Sequence, residues 1–161
     1  MKGISAVALM AAMANDGVIG THEGGTLHVC ATPATTDLDA AGFAALTWVA
    51  VGKVGSVGEF GIVQNIVDYD TWAGTTLKGK GSKRPGDPEV EYARDETDAG
   101  QDVLRTACDL ATAHAVKVTK QDGTIFYSRA LVAGPSMPQG RGEDADIEVV
   151  TLGLVQKPVR V

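Results

Sequence analysis

Aromatic side chains are scarce in this chain, with three Phe, three Tyr and two Trp among 161 residues. Set beside 20 glycines, that scarcity points to the turns and close backbone approaches of a strand-rich protein. Cysteine is nearly absent. Cys30 and Cys108 are too few for a disulfide framework and belong to no CxxC pair, so they read as small buried hydrophobes in a reducing compartment. His22, His28 and His114 share neither HxH nor HxxxH spacing, which argues against zinc. No GxSxG motif occurs. Gly79-Lys80-Gly81-Ser82-Lys83 departs from the GxxxxGK[ST] pattern of a phosphate loop. We therefore expect no enzyme, no cofactor and no metal. Positive charge is also in deficit. Fourteen Lys+Arg against 20 Asp+Glu leave a net charge of −6, which argues against a protein that grips nucleic acid by neutralising phosphates.

What is present bounds the architecture. The length suits one domain over residues 1–161, and 44% hydrophobic residues suffice for a packed core. Lys2 and the apolar run 4–14, ending in Ala12-Met13-Ala14, have the pattern of a signal peptide. We expect instead an N-terminal strand or arm of the folded protein over 1–24. The run is too short to span a bilayer, so no membrane anchor is expected. Residues 4–20, with Asn15-Asp16-Gly17, also look like the opening strand and loop of dihydrofolate reductase. That likeness stops at Thr21-His22-Glu23-Gly24-Gly25, and the alternating strand–helix units of such a fold do not follow.

Residues 26–31, 46–51 and 54–67 read as strands, the last with Phe60, Ile62 and Ile66 in one alternating set. Glycines every third residue from Gly52 to Gly61 mark a bulge or strong bend. Residues 71–88 hold four of the fourteen cations, Lys78, Lys80, Lys83 and Arg84, with no apolar period. They read as a long exposed inter-strand loop, or a hairpin that is disordered in the lone protein. Glu89–Asp95 alternates as a strand, with Val90 and Tyr92 on one face. The stretch 87–102 carries seven acids and only Arg94 as a base, so a basic segment runs into an acidic one. Asp98 caps a helix expected over 98–113. Strands at 115–120 and 124–132 flank an Asp122-Gly123 type I′ turn. A last strand covers 146–157, with both faces partly apolar. The fold class is mainly β: an antiparallel β-sandwich or barrel with one flanking α-helix and a long extended loop.

From about Gly25 to Thr106 the sequence resembles the major tail tube proteins of long-tailed, non-contractile bacteriophages. The likeness rests on Thr26-Leu27-His28-Val29-Cys30-Ala31, Ala45-Leu46-Thr47-Trp48-Val49 and Val54-Gly55-Ser56-Val57-Gly58-Glu59. Tyr69-Asp70-Thr71-Trp72, Ala93-Arg94 and Thr97-Asp98-Ala99-Gly100-Gln101 continue it. The resemblance implies a structural virion protein of the phage tail, assembled in the host cytoplasm. In such proteins homo-hexameric rings stack into a tube through which DNA is ejected without specific binding. Tape measure, tail terminator and distal tail proteins are the implied partners. The family's inter-ring loop would fall on 71–88, with Lys78, Lys80, Lys83 and Arg84 as contacts. Its acidic lumen would draw on Glu89, Glu91, Asp146 and Glu148, since carboxylates repel phosphates. A related secretion-system tube protein forming hexameric rings is the alternative. A reductase, motivated by residues 4–20 alone, is the distant one.

Overall fold

The computed structural model describes residues 21–161. The expected arm lies, up to residue 20, outside the described residues, as do the signal-like run and the reductase-like opening. Alternating burial shows how the sheet is built. β1 (Thr26–Pro33) buries Leu27 and Val29 on one side and Cys30 on the other. β2 (Val49–Val51) and β3 (Val54–Val57) follow a short helix, α1 (Ala40–Ala44). β4 (Ile62–Asp70) and β5 (Thr76–Pro85) pair only with each other. β6 (Glu89–Ala93), helix α2 (Ala99–Cys108), β7 (His114–Thr119), β8 (Ile125–Ser136), β9 (Ile147–Leu154) and β10 (Val159–Arg160) complete the chain.

The main sheet runs β2-β1-β7-β8-β9-β6-β3, with β10 beside β8, and every pairing is antiparallel. Its two ends, β2 and β3, belong to one stretch of chain. Residues 49–51 pair with β1, the backbone swings at Lys53 (φ 57°), and residues 54–57 pair with β6. The sheet thus curls back on itself, as in a barrel. Inside it, Leu27, Val29, Val90, Tyr92, Val116, Val132, Val150 and Leu152 pack with Leu104 and Ala107 of α2. On the opposite face of β1, β7 and β8, α1 brings Phe43 onto Tyr127, ring centroids 5.2 Å apart, and Trp48 stacks on the same Tyr at 5.7 Å.

The mainly antiparallel β class with few helices holds, and five details differ from expectation. The stretch 71–88 is not a long loop. The turn occupies 71–75, and Thr76–Pro85 is strand β5, because β4 supplies a backbone partner for it. The expected strand 54–67 divides at 58–61, where the chain leaves the main sheet for the hairpin. Helix α2 stops at Cys108 rather than near 113. Asp109 ends it, Leu110 is exposed, and Ala113 turns inward to accept a bond from Ala34 N–H at 2.8 Å. The β7–β8 connection is not type I′. Only Gly123 has positive φ, Lys120 N–H and Thr124 C=O close a three-residue loop, and Asp122 accepts from Thr124 N–H. Helix α1, capped by Asp39 onto Gly42 N–H at 2.8 Å, lies within residues read as loop.

Candidate functional site

The β4–β5 hairpin stands apart from the rest of the molecule. Register and alternation give it two unlike faces. Ile62, Gln64, Ile66, Asp68 and Asp70 share one face with Pro85, Lys83, Lys80, Lys78 and Thr76 opposite them. An extra residue on β5 near Gly81–Ser82 shifts the pairing, so that Lys83 joins Lys78 and Lys80 on that face. Lys78 Nζ donates to Asp68 at 2.8 Å, and Thr76 Oγ1 donates to Asp70 at 2.7 Å. Lys80 and Lys83 form no ion pair among the described residues. Arg84, on the other face, pairs with Asp87 at 2.8 Å.

That other face carries Val63, Val67, Tyr69 and Leu77. Tyr69 is 69% exposed, Val67 and Leu77 are each 55% exposed, and Trp72 in the tip lies fully in water. A two-stranded ribbon on its own is marginal in water. An exposed apolar face of this kind marks an interaction surface. The sequence leaves Tyr69 and Trp72 to a core or an interface, and they are not in the core, because none of the described residues covers them. Asp68 and Asp70 are taken up by Lys78 and Thr76. Among the described residues no group of His, Cys, Asp and Glu is placed to hold a metal.

At the root of the hairpin lies a groove of about 620 Å³. It opens where β3 swings away from β1, between the start of β1, the end of β7 and β3. Leu27, Val54, Val57, Phe60, Val118 and Phe126 give it an apolar wall, with Glu59 and Lys120 also lining it.

The four candidate lumen carboxylates part company. Glu89 and Glu91 sit opposite Thr151 and Val149 on the face of β6 and β9 turned away from the core. Glu89 is exposed and Glu91 half-buried. Asp146 lies at the rim, its carboxylate 3.3 Å from Arg94. Glu148 is only 3% exposed and points into the core. It accepts from Tyr92 Oη at 2.9 Å and from Arg105 Nε at 3.1 Å. Glu148 is thus corrected from a lumen candidate to a buried ion-pair partner. Burial and then the Glu148 bond push the Tyr92 phenol well above its ordinary range. The alternation of 146–154 leaves 148 on the core face, and the core accepts a charge there because α2 brings Arg105 over it.

The stretch Thr97-Asp98-Ala99-Gly100-Gln101 fastens α2 to the sheet. Asp98 accepts from Gln101 N–H at 2.9 Å and from Gly52 N–H at 3.1 Å. Gly100 presses on β2, where a Cβ would stand 2.1 Å from the Ala50 carbonyl oxygen. Buried Gln101 donates to the Gly52 and Ala93 carbonyls at 3.0 and 2.9 Å and accepts from Asp95 N–H at 2.8 Å. These residues hold the closing segment 49–54 in place.

Solved structures that share this architecture include components of injection machines. The sheath/tube terminator of the PVC extracellular contractile injection system superposes with a TM-score of 0.61 at 10% identity, over 89% of this chain and 97% of that one. This is the tail-tube fold. A chain of the PVC sheath-tube complex matches with a TM-score of 0.57 at 11% identity, covering 94% of this chain and 96% of that one. The tube-terminating cap of the anti-feeding prophage matches at 0.53 and 12% identity, covering 94% and 99%. No protein-family model matches the sequence, and no curated protein does. Among the described residues every strand pairing is antiparallel, unlike the alternating strand–helix units of a reductase fold.

Proposed function

We propose that this chain is the repeating subunit of a tube: copies close into hexameric rings, and the rings stack. The observation that carries the reading is the β4–β5 ribbon, whose apolar face has no cover among the described residues, on a tail-tube fold. In this reading the ribbon reaches the next ring, and the outward face of β6 and β9, with Glu89 and Glu91, lines the bore. Carboxylates there keep a passing polyanion from sticking. The machine is the tail of a phage, through which DNA leaves, and the partners are the proteins that start, measure and end such a tail. A second reading is supported by the similar solved structures, which are parts of extracellular contractile injection systems and of the anti-feeding prophage. There the same tube would deliver another cargo.

The experiment is assembly of the purified chain, followed by negative-stain microscopy. Rings and tubes are expected. Particles that stay monomeric at every concentration and salt would sink the proposal. Replacing residues 62–85 by a short linker is direct, because Gly86 N–H already bonds the Gly61 carbonyl at 2.9 Å across the root. That variant should give rings that do not stack. Nucleic acid inside particles from the native source would favour the phage tail over the injection tube.

A further inference from the structure

The groove between β1, β7 and β3 has an apolar floor that the described residues leave half covered. Val54, Val57, Phe60, Val118 and Phe126 are each only half-buried there. Among the described residues Phe126 packs into neither of the two hydrophobic cores. Its ring is approached instead by two cations, Lys120 Nζ at 5.4 Å and the Arg160 guanidinium at 6.0 Å. A recess of about 620 Å³ encloses a few side chains rather than a folded partner.

We propose that the occupant is the apolar run Ile4–Ala14 of the same chain, which closes the barrel between β1 and β3. This closure belongs to the single chain and needs no ring.

Position selects that segment. Thr21 and His22 stand at the edge of the groove beside Lys120, and His22 is part of its lining. A tight turn follows, in which Gly25 N–H donates to the His22 carbonyl at 3.1 Å with Gly24 at φ 77°. Such a turn reverses the chain and aims the residues before it back over the barrel. Residues 15–20 form a link that spans at most about 20 Å. So short a tether holds the run at the groove at an effective concentration on the order of millimolar, ahead of any neighbour's run in a dilute sample.

Chemistry supplies the second argument. Ser5 is the one polar side chain between Ile4 and Ala14, and none there is charged. Five alanines let the backbone approach the groove wall, while Ile4, Val7, Leu9, Met10 and Met13 supply apolar area to bury. Charge fixes the direction. The run is flanked by Lys2 and Asp16. Asp16 falls on the Thr21 side, where Lys120 stands, and Lys2 falls at the other end, toward the β3 side that holds Glu59. Opposite signs therefore meet at both ends of the contact.

Thiol reactivity tests this on the full chain, at concentrations where light scattering shows monomers. Ala8→Cys should react with a maleimide about tenfold or more slower than Thr112→Cys, an exposed site before β7 at the end away from the groove. Mass spectrometry of the labelled peptides keeps Cys30 and Cys108 out of the reading. Phe126→Asp places a charge on the groove floor and should return the Ala8→Cys rate to the Thr112→Cys level. Fast reaction of Ala8→Cys in the parent background would overturn the proposal, because the run would then lie in water. Protection that survives Phe126→Asp would overturn it too, because another surface would be the cover. A second variant leaves the folded body untouched and serves even where Phe126→Asp does not fold. Leu9→Asp with Met10→Asp should release the Ala8→Cys thiol and quicken hydrogen exchange at residues 54–60 and 118–120. Unchanged exchange there would place the run elsewhere and overturn the proposal. Protection that fades on dilution would assign the run to a neighbour's groove and overturn closure within one chain. A chain from the native source that begins after Ala14 would do the same. Rings and tubes enter none of these readings, so the tube proposal stands or falls separately.

Discussion

Gly100 and Asp98 show how one residue position governs the closure of the sheet. Gly100 meets the β2 backbone so closely that a methyl group has no space, and the atom in its way is a carbonyl oxygen rather than a flexible side-chain end. Gly100→Ala should cost about 3 kcal/mol, at the upper end for an overpacked site. Asp98→Ala should cost about 1–2 kcal/mol through loss of the helix cap and of its bond to Gly52. Chemical denaturation of the two variants checks both, and a Gly100→Ala chain as stable as the parent would refute the close approach. His28 offers a titration. Burial first, and then the charge of Lys117 across the strand pair, hold its pKa below 6.5. The folded state therefore disfavours the imidazolium. The associated stability is complete above pH 6.5 and is lost as pH falls through the lower folded value. The His28 midpoint by NMR should lie below 6.5 and rise part of the way back in Lys117→Gln.

The hairpin carries its meaning at the scale of an element. Its apolar side chains pack on no other element among the described residues, so changing them should leave the body of the fold as stable as before. Tyr69→Asp with Leu77→Asp should shift stability by less than about 0.5 kcal/mol while abolishing stacking. A large drop in melting temperature would mean that the ribbon packs on its own body. The same element shows what the sequence conceals. The alternation of 89–95 places Val90 and Tyr92 in the core, and both are fully buried there. The apolar alternation around 62–70 reads equally well as a buried strand, because periodicity records two faces and not what covers them. For 76–85 the sequence leaves a long loop and a hairpin both open, and the hairpin is what forms. Thr76–Pro85 holds three cations and two glycines on β5 itself before Arg84 and Pro85, and only its pairing with β4 makes it a strand. Glu148 was misplaced because its acidic character says nothing of the arginine that a distant helix lays over it.

At the scale of the whole molecule, two kinds of force act on different steps. Residues 62–85 carry four cations and two carboxylates, a net +2, and the remainder of the chain is therefore at −8. The net −8 body drives copies apart, and the net +2 ribbon draws them together. Raising NaCl screens both, and because each copy carries a net −6 it should speed the first encounters. Sulfate should strengthen contacts already made by apolar surface. Light scattering during assembly in matched ionic strengths of the two salts distinguishes these contributions. Equal behaviour in both salts would show that burial of the ribbon is not the main gain. The buried Glu148–Arg105 pair and the stacked Phe43–Tyr127–Trp48 cluster belong to the body and should not respond.

The two tryptophans have opposite surroundings. Trp48 is half-buried, stacked on Tyr127, and donates its indole N–H to the Phe43 carbonyl at 3.1 Å, while Trp72 at the ribbon tip touches only water. The molecule therefore contains its own optical gauge. Light emitted by Trp48 supplies a constant background, and a shift toward shorter wavelength as copies meet reports the moment the tip of one chain leaves the solvent.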